Sequence, residues 1–140
     1  MINEFRGKYY FLSNFYEHKV KYNGLIFLNN ESAFQAQKTI DLGTRESFCR
    51  LSPSQAKSKG RRVHLRSNWE QVKDNIMYEI VFNKFASDSA MTQKLLDTGD
   101  EILEEGNNWN DTYWGVCRGR GQNKLGKILM AVRMKLGRDI

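Results

Sequence analysis

The sequence predicts a mainly helical α+β fold, a single domain over residues 1–140 with a small antiparallel β-sheet. A length of 140 residues suits one domain that can bury a core without disulfides or metals. Apolar residues recur at helical spacing in several segments, which favours amphipathic helices. One Asn-Gly pair separates two short apolar or alternating runs, a pattern typical of a β-hairpin.

The hairpin is predicted over residues 18–29, with its turn at Asn23-Gly24. Both turn residues tolerate the positive φ angles of a type I′ turn. Asn30 follows directly and is predicted to cap a helix that begins at Glu31.

Capping signals predict the next two helices. Thr44 is expected to cap a short helix that runs through Leu51. Ser52 precedes Pro53, which matches an N-cap followed by proline at the first helical position. Gly60 is the predicted end of this third helix.

The longest helix is predicted over residues 69–86, with Asn68 as its N-cap. Apolar side chains recur along it at helical spacing: Trp69, Val72, Ile76, Met77, Ile80, Val81 and Phe85.

The remainder of the chain alternates helix signals with polar, glycine-rich sequence. Asp88 is expected near the cap of a short helix that runs to Gly99, and Ile102-Leu103 is a candidate short strand. A final helix is predicted to end at Gly137, with apolar residues Leu125, Ile128, Leu129, Val132 and Met134.

Composition and charge exclude several classes of protein. No apolar run approaches the ~18 to 20 residues of a membrane span, and the first residues lack the order of a signal peptide, so a cytoplasmic protein is expected. Cys49 and Cys117 have no C-x-x-C spacing, and His18 and His64 have no metal-ligand spacing, so neither a metal nor another cofactor is expected. The net charge of +6 favours phosphate-bearing partners.

Residues 121–127, GQNKLGK, match the start of a phosphate-binding loop. Ile128 stands where such a loop needs Ser or Thr for magnesium, and no strand pattern precedes it, which disfavours an ATPase. Two interpretations remain open. Free backbone N–H groups at the helix start could hold a phosphate, or the segment could be a tight turn into the last helix.

Two further segments combine polar and aromatic groups. Glu31, Gln35 and Lys38 are predicted to line one helix face beside Phe34, either as a solvated surface or as a carboxylate and an amine suited to acid/base or covalent catalysis. The segment 107–115 interleaves tryptophans with an aspartate, either to close the core or to stack on a heterocycle.

Taken together, these segments resemble the family of YbiA-like proteins, the NADAR domain family, over nearly the whole chain. The resemblance rests on Phe11-Leu-Ser-Asn-Phe-Tyr16, Glu31-Ser-Ala-Phe-Gln-Ala-Gln-Lys38, Gly60-Arg-Arg-Val-His-Leu-Arg66 with Asn68-Trp69, Lys84-Phe85, Leu95-Leu-Asp-Thr-Gly-Asp100, Asp111-Thr-Tyr-Trp-Gly115 and Gly121-Gln-Asn-Lys-Leu-Gly126 with Leu129-Met130. The chain departs from the family pattern at Ser32, Asn68 and Cys117, where His, Asp and Gly are usual.

The resemblance implies a YbiA-like fold and a cofactor-free N-glycosidase that cleaves ribose C1 from a base nitrogen. Two substrate classes are implied, a phosphoribosylamino-pyrimidine intermediate of riboflavin biosynthesis and guanine with ADP-ribose on its amino group, in a nucleotide or in DNA. A module that binds ADP-ribose or nucleic acid without turnover is the alternative. No membrane partner is expected.

The same resemblance implies the site residues. The catalytic candidates are Glu31, Lys38 and Asp111. Glu31 would act at the ribose and Asp111 as a second acid/base group, while Lys38 would act electrostatically or as a Schiff-base amine. Substrate binding is expected from Asn14, Phe15, Trp69, Trp114, Asn123, Arg61 and Arg62.

Overall fold

A computed structural model describes residues 1–138. Its elements in chain order are a 3₁₀ helix at Gly7–Leu12, β1 (Glu17–Tyr22), β2 (Leu25–Asn29), α1 (Asn30–Ala36), α2 (Leu42–Glu46), α3 (Pro53–Gly60), α4 (Trp69–Ala86), α5 (Ser89–Leu96), β3 (Gly106–Asn107), β4 (Val116–Cys117) and α6 (Lys124–Arg138). About half of these residues are helical, which confirms the predicted mainly helical α+β class.

The chain divides into two compact units. The central unit is Asn14–Ser87, and the terminal unit joins Met1–Ser13 to the chain from Asp88 onwards. The assignment of residues 1–140 to one domain stays a prediction.

In the central unit the predicted hairpin is confirmed. Strands β1 and β2 pair antiparallel, with Tyr22 opposite Leu25. Asn23 and Gly24 form the turn with φ angles of 48° and 81°, the left-handed conformation that this residue pair tolerates.

Helix α1 differs from the prediction at both ends. Its N-cap is Asn29, not Asn30, because the Asn29 side chain accepts a hydrogen bond of 2.8 Å from the Ser32 N–H. The helix ends at Ala36, so Lys38 lies in the following turn and not on the helix. The Gln37 side chain donates to the Ala33 carbonyl at 3.0 Å, while the Gln37 N–H turns to the Phe34 carbonyl. The next α-helical turn therefore does not form.

The cap assigned to α2 is also wrong. Asp41, not Thr44, is its N-cap and accepts from the Thr44 N–H at 2.8 Å, and the helix stops at Glu46 well short of Leu51. The predicted start of α3 is confirmed, since Ser52 forms a capping box with Gln55 and Pro53 occupies the first turn.

Helix α4 spans the predicted residues and supplies much of the central core. Asn68 occupies the N-cap position, but its side chain makes no capping bond and instead accepts from the Arg66 guanidinium at 2.8 Å. The buried residues of α4 are Trp69, Ile76, Met77, Ile80, Val81, Lys84 and Phe85.

In the terminal unit, Asp88 caps α5 as predicted, although the helix ends at Leu96 and not at Gly99. Leu103 forms a single parallel bridge with Ile2 in place of the expected short strand. The parallel pair β3–β4 was not predicted. Helix α6 confirms the last predicted helix, but Met134 is exposed.

Across residues 1–138, no helix is long and apolar enough to cross a membrane.

Replacing the buried cap of α1 tests how strongly this short helix depends on it. Asn29→Ala removes the bond to the Ser32 N–H and a second bond of 3.1 Å from Asn29 to the Leu51 carbonyl. We expect the free energy of unfolding to fall by about 2 kcal/mol, measured by urea denaturation. Asp41→Ala removes the exposed cap of α2 and is the control. An equal decrease in the free energy of unfolding of both variants would contradict the idea that the buried cap of α1 contributes more to stability than an exposed cap.

Candidate active site

The start of α1 is held by a buried asparagine from the preceding segment. The Asn14 backbone carbonyl accepts from the Glu31 N–H at 3.1 Å, and its side-chain oxygen accepts from Asn30 at 3.4 Å. The Asn14 amide also donates to the Met77 sulfur of α4 at 3.5 Å. Asn14, expected to bind substrate, therefore positions the helix that carries Glu31.

Glu31 is half-buried and meets a buried amide one turn later. Gln35 Nε2 donates to Glu31 Oε2 at 2.6 Å, a short bond of the kind that an ionised carboxylate accepts. Gln35 is 6% exposed, so this carboxylate partner is shielded from water. The predicted carboxylate thus has a defined orientation.

Aromatic side chains lie beside this helix. The rings of Phe34 and Trp69 are 5.0 Å apart and tilted by 51°, and both are buried. Trp69 packs through this contact, so only part of its surface can face a ligand. Phe15 is half-buried, with the Lys57 ammonium 6.0 Å from its ring centroid.

Lys38 has an environment that favours a neutral amine. Burial lowers the pKa of Lys38 below its ordinary value. The Glu31 carboxylate opposes this shift in the pKa, while the positive charges of Arg61, Lys73 and Lys57 add to it. Burial therefore prevails over the carboxylate, a balance that the sequence left open.

The predicted phosphate-binding arginines, Arg61 and Arg62, are both exposed and follow directly after α3. Arg61 is close enough to affect Lys38 electrostatically. Exposed guanidinium groups can bind phosphate oxygens in pairs.

In the terminal unit, the Asp111 side chain accepts hydrogen bonds from backbone N–H groups of its own loop. Its Oδ1 accepts from the N–H groups of Tyr113 and Trp114, at 3.1 and 2.9 Å. These two bonds fix the orientation of the Asp111 side chain within the loop. Trp114 is half-buried and packs edge-on against Tyr113, with ring centroids 4.9 Å apart.

Four consecutive N–H groups of the glycine loop are hydrogen-bonded within the fold. Its backbone N–H groups pair with carbonyls of the aromatic loop: Gln122 with Thr112, Asn123 with Gly115, Lys124 with Tyr113 and Leu125 with Trp114. These four N–H groups are not free for a phosphate, which favours the tight-turn interpretation.

The Asn123 side chain forms two hydrogen bonds to backbone groups of the terminal unit. Its oxygen accepts from the Glu105 N–H at 3.0 Å, and its amide donates to the Leu103 carbonyl at 2.9 Å. Its φ of 52° is one that asparagine tolerates better than most residues. The substrate contact expected from Asn123 stays a prediction.

The central unit therefore brings Asn14, Glu31 and Lys38 together around α1, with Trp69 beside it. In the terminal unit, Asp111, Trp114 and Asn123 belong to one hydrogen-bonded loop system. Within residues 1–138, no group of three or more His, Cys, Asp or Glu side chains is placed to hold a metal ion.

Sequence reasoning missed one titratable group of the core. Lys84 is 1% exposed, and burial lowers its pKa to about 7. Its ammonium lies 5.4 Å from the Tyr16 ring centroid and 5.0 Å from that of Phe85. The signal was present, because Ile76, Ile80 and Lys84 follow one another at four-residue spacing on the buried face of α4.

Comparison with known proteins identifies the family. The family model of the NADAR domain matches residues 3–137. The chain belongs to the NADAR domain family. The solution NMR structure of YbiA from Escherichia coli superposes on this NADAR chain with a TM-score of 0.86 at 35% identity, over 99% of this chain and 88% of that one. This likeness confirms the predicted YbiA-like fold.

Relatives of this NADAR chain carry enzyme names. It is 38% identical over 128 residues to the N-glycosidase YbiA of Escherichia coli, covering 89% of this chain and 79% of that protein. It is 35% identical over 133 residues to an N-glycosidase of Nostoc punctiforme, covering 89% and 83%. A riboflavin biosynthesis protein of Vibrio vulnificus is 33% identical over 130 residues, but this chain spans only 35% of it. This NADAR chain is an enzyme, a hydrolase that acts on N-glycosyl bonds.

The buried lysine makes stability depend on pH. The pKa of Lys84 is lower in the folded chain than in the unfolded chain, so between about pH 7 and 10 the unfolded state binds more protons and stability rises with pH. Lys84→Met removes the contribution of this titrating amine to the pH dependence of stability. The free energy of unfolding of the variant should therefore exceed that of the wild type most at pH 7, and the difference should shrink by roughly 1 kcal/mol per pH unit above it.

Urea denaturation at pH 7, 8 and 9 measures the difference. The exposed Lys19, replaced by Met, is the control and should leave the pH dependence unchanged. A wild type and a Lys84→Met variant with parallel pH profiles would show that Lys84 folds with an ordinary pKa.

Proposed function

We propose that this N-glycosidase hydrolyses the ribose C1–N bond of a phosphorylated riboside whose base carries an exocyclic amino group. Two substrates fit this class, guanine with ADP-ribose on its amino group and a phosphoribosylamino-pyrimidine of riboflavin biosynthesis. The name of the Vibrio vulnificus relative supports the second. Such phosphorylated compounds do not cross membranes unaided, so the proposed location is the cytoplasm.

One observation carries the proposal: a hydrogen-bonded carboxylate, Glu31, and an amine of lowered pKa, Lys38, occur together on the same segment. The carboxylate can stabilise positive charge at C1 or activate water. The amine can act as a nucleophile once it is neutral. A segment that only covers the surface needs neither a hydrogen-bonded carboxylate nor an amine of lowered pKa.

In the first route, water attacks C1 directly. The C1–N bond breaks with its electron pair going to the base nitrogen, and an oxocarbenium-like centre forms at the sugar. Glu31 would stabilise this centre and take a proton from the attacking water. Asp111 is the proposed second acid/base group that assists protonation of the leaving nitrogen.

In the second route, the sugar ring opens and the exocyclic nitrogen forms an imine with C1. Neutral Lys38 attacks C1, the base leaves as a free amine, and a Lys38 imine remains. Water then hydrolyses this imine to the ribose aldehyde and the free lysine. The sum is the same hydrolysis, with one water consumed and no oxidant or metal required.

The remaining proposed contacts concern binding. Trp69, Trp114 and Phe15 would each contact the base or sugar through their ring surfaces. Arg61 and Arg62 would bind the phosphate groups. Asn14 would hold the Glu31 segment in register with the ligand, and Asn123 would contact the substrate.

Replacing the carboxylate tests the proposed activity. Glu31→Gln keeps the size and hydrogen-bonding capacity of the side chain but removes its charge. We expect kcat to fall by roughly 100-fold or more on the true substrate, with folding unchanged by circular dichroism. The assay compares ADP-ribosylated guanine oligonucleotide with the phosphoribosylamino-pyrimidine and detects the released sugar.

The exposed Glu70→Gln variant serves as the matched control. Full hydrolysis by Glu31→Gln would refute the role of Glu31. Binding of either substrate by wild type without any product would favour a module that recognises ADP-ribose or nucleic acid without turnover.

The covalent route is tested separately at Lys38. Borohydride added during turnover should reduce the imine and leave a stable mass adduct on Lys38. Lys38→Arg stays charged at every working pH and should lose this adduct together with turnover. Because a lowered pKa provides neutral amine at lower pH, wild-type turnover by this route should rise with pH through that pKa and then level off.

Peptide mass spectrometry locates the adduct, and Lys19→Arg is the control. No adduct on wild type, with full turnover in Lys38→Ala, would remove the covalent route and leave the direct attack of water.

A further inference from the structure

Gln35 holds a position in α1 where an apolar side chain would pack at lower cost. It is 6% exposed, and its Oε1 is buried without a hydrogen-bond partner. An unsatisfied buried acceptor of this kind is unfavourable for folding. A buried amide kept at such a cost calls for a reason other than packing.

The other end of the same amide provides that reason. Gln35 Nε2 donates to Glu31 Oε2 at 2.6 Å, across one turn of α1. If the amide were flipped, its oxygen would face the carboxylate, and two acceptors would lie in contact. The donor end therefore has to face Glu31, and the acceptor end is left unpaired.

The packing of α3 against α1 confines the amide further. A Cβ atom at Gly60 would overlap Gln35 Oε1 and would lie 2.8 Å from Gln35 Cδ. Only glycine at the end of α3 leaves room for the carboxamide in this orientation. Gly60 thus leaves the space that this orientation of Gln35 requires, and Gln35 in turn limits the orientation of Glu31.

We propose that Gln35, for which Gly60 leaves room, is a positioning residue that orients Glu31 and keeps it ionised for the reaction at ribose C1. This inference rests on the proposed function of Glu31. The hydrogen bond stabilises the charged carboxylate and selects one of its orientations. Through this bond a residue that need not touch the substrate affects the rate of the chemical step.

The inference predicts a change in kcat and in the titration of Glu31 with little change in KM. Gln35→Met keeps the volume, removes the donor and removes the unpaired oxygen. We expect kcat to fall between about 10- and 100-fold, because a misoriented catalytic group is costly. The acid limb of the kcat profile should move to higher pH by roughly half a unit to one unit, since the carboxylate loses its donor.

Two further variants separate positioning from packing. Gln35→Glu places a second carboxylate beside Glu31 and should move the acid limb further in the same direction. Gln93→Met removes a similar bond of 2.7 Å from Gln93 to Asp97, exposed on α5, and should leave kcat and the pH profile unchanged. Urea denaturation of Gln35→Met is expected to show no loss of stability beyond that of Gln93→Met.

The titration of the Glu31 carboxyl, followed by carbon NMR in the free protein, makes the two proposals distinguishable. A raised Glu31 pKa in Gln35→Met together with reduced kcat supports the positioning role. An unchanged Glu31 titration, or unchanged kcat while Glu31→Gln is inactive, overturns that role and leaves the proposed function standing. Full activity of Glu31→Gln instead overturns the proposed role of Glu31, on which this inference rests, and absence of product with either substrate in the wild type overturns the proposed function.

Discussion

The site depends on buried side-chain amides that anchor a helix too short to hold itself in place. Seven residues of helix are marginal on their own, because nucleation is costly and few internal bonds repay it. The Asn29 side chain caps α1, and the Asn14 side-chain oxygen accepts from Asn30 in the first turn. The Gln37 side chain donates to the Ala33 carbonyl, which a continuing helix would use for a backbone bond. All three amides are buried, so each bond forms where water cannot compete. These bonds around α1 determine where Glu31 and Lys38 lie.

The electrostatics of the site follow from the same burial. The half-buried Glu31 carboxylate accepts a hydrogen bond from Gln35, whereas burial lowers the pKa of the Lys38 amine because desolvation penalises the ammonium. Neighbouring cations, Arg61 among them, act on Lys38 in the same direction as burial. These cations, which include the proposed phosphate-binding Arg61, therefore also lower the pKa of Lys38.

Both units contain buried or half-buried polar groups. In the terminal unit, Asp111 and the start of α6 are bound to backbone partners, and this pairing builds a defined loop system. In the central unit, two buried polar groups are unfavourable for folding: the unpaired Gln35 oxygen and the buried ammonium of Lys84. Such costs are typical of regions shaped by function, because packing alone would replace these residues with apolar ones.

The sequence alone determined the features that depend on neighbouring residues. The Asn23-Gly24 turn, the Ser52-Pro53 cap and the spans of α4 and α6 were predicted because turn chemistry, capping and helical periodicity are local. The order of the motifs was also sufficient to predict the family.

Tertiary structure decided the rest. The pairing of β3 with β4, the choice of Asn29 as cap, the end of α1 before Lys38 and the bonding of the glycine loop each depend on partners brought close by folding. Whether an amine is neutral or an N–H is free is set by burial and by distant acceptors, and those exist only in the folded chain.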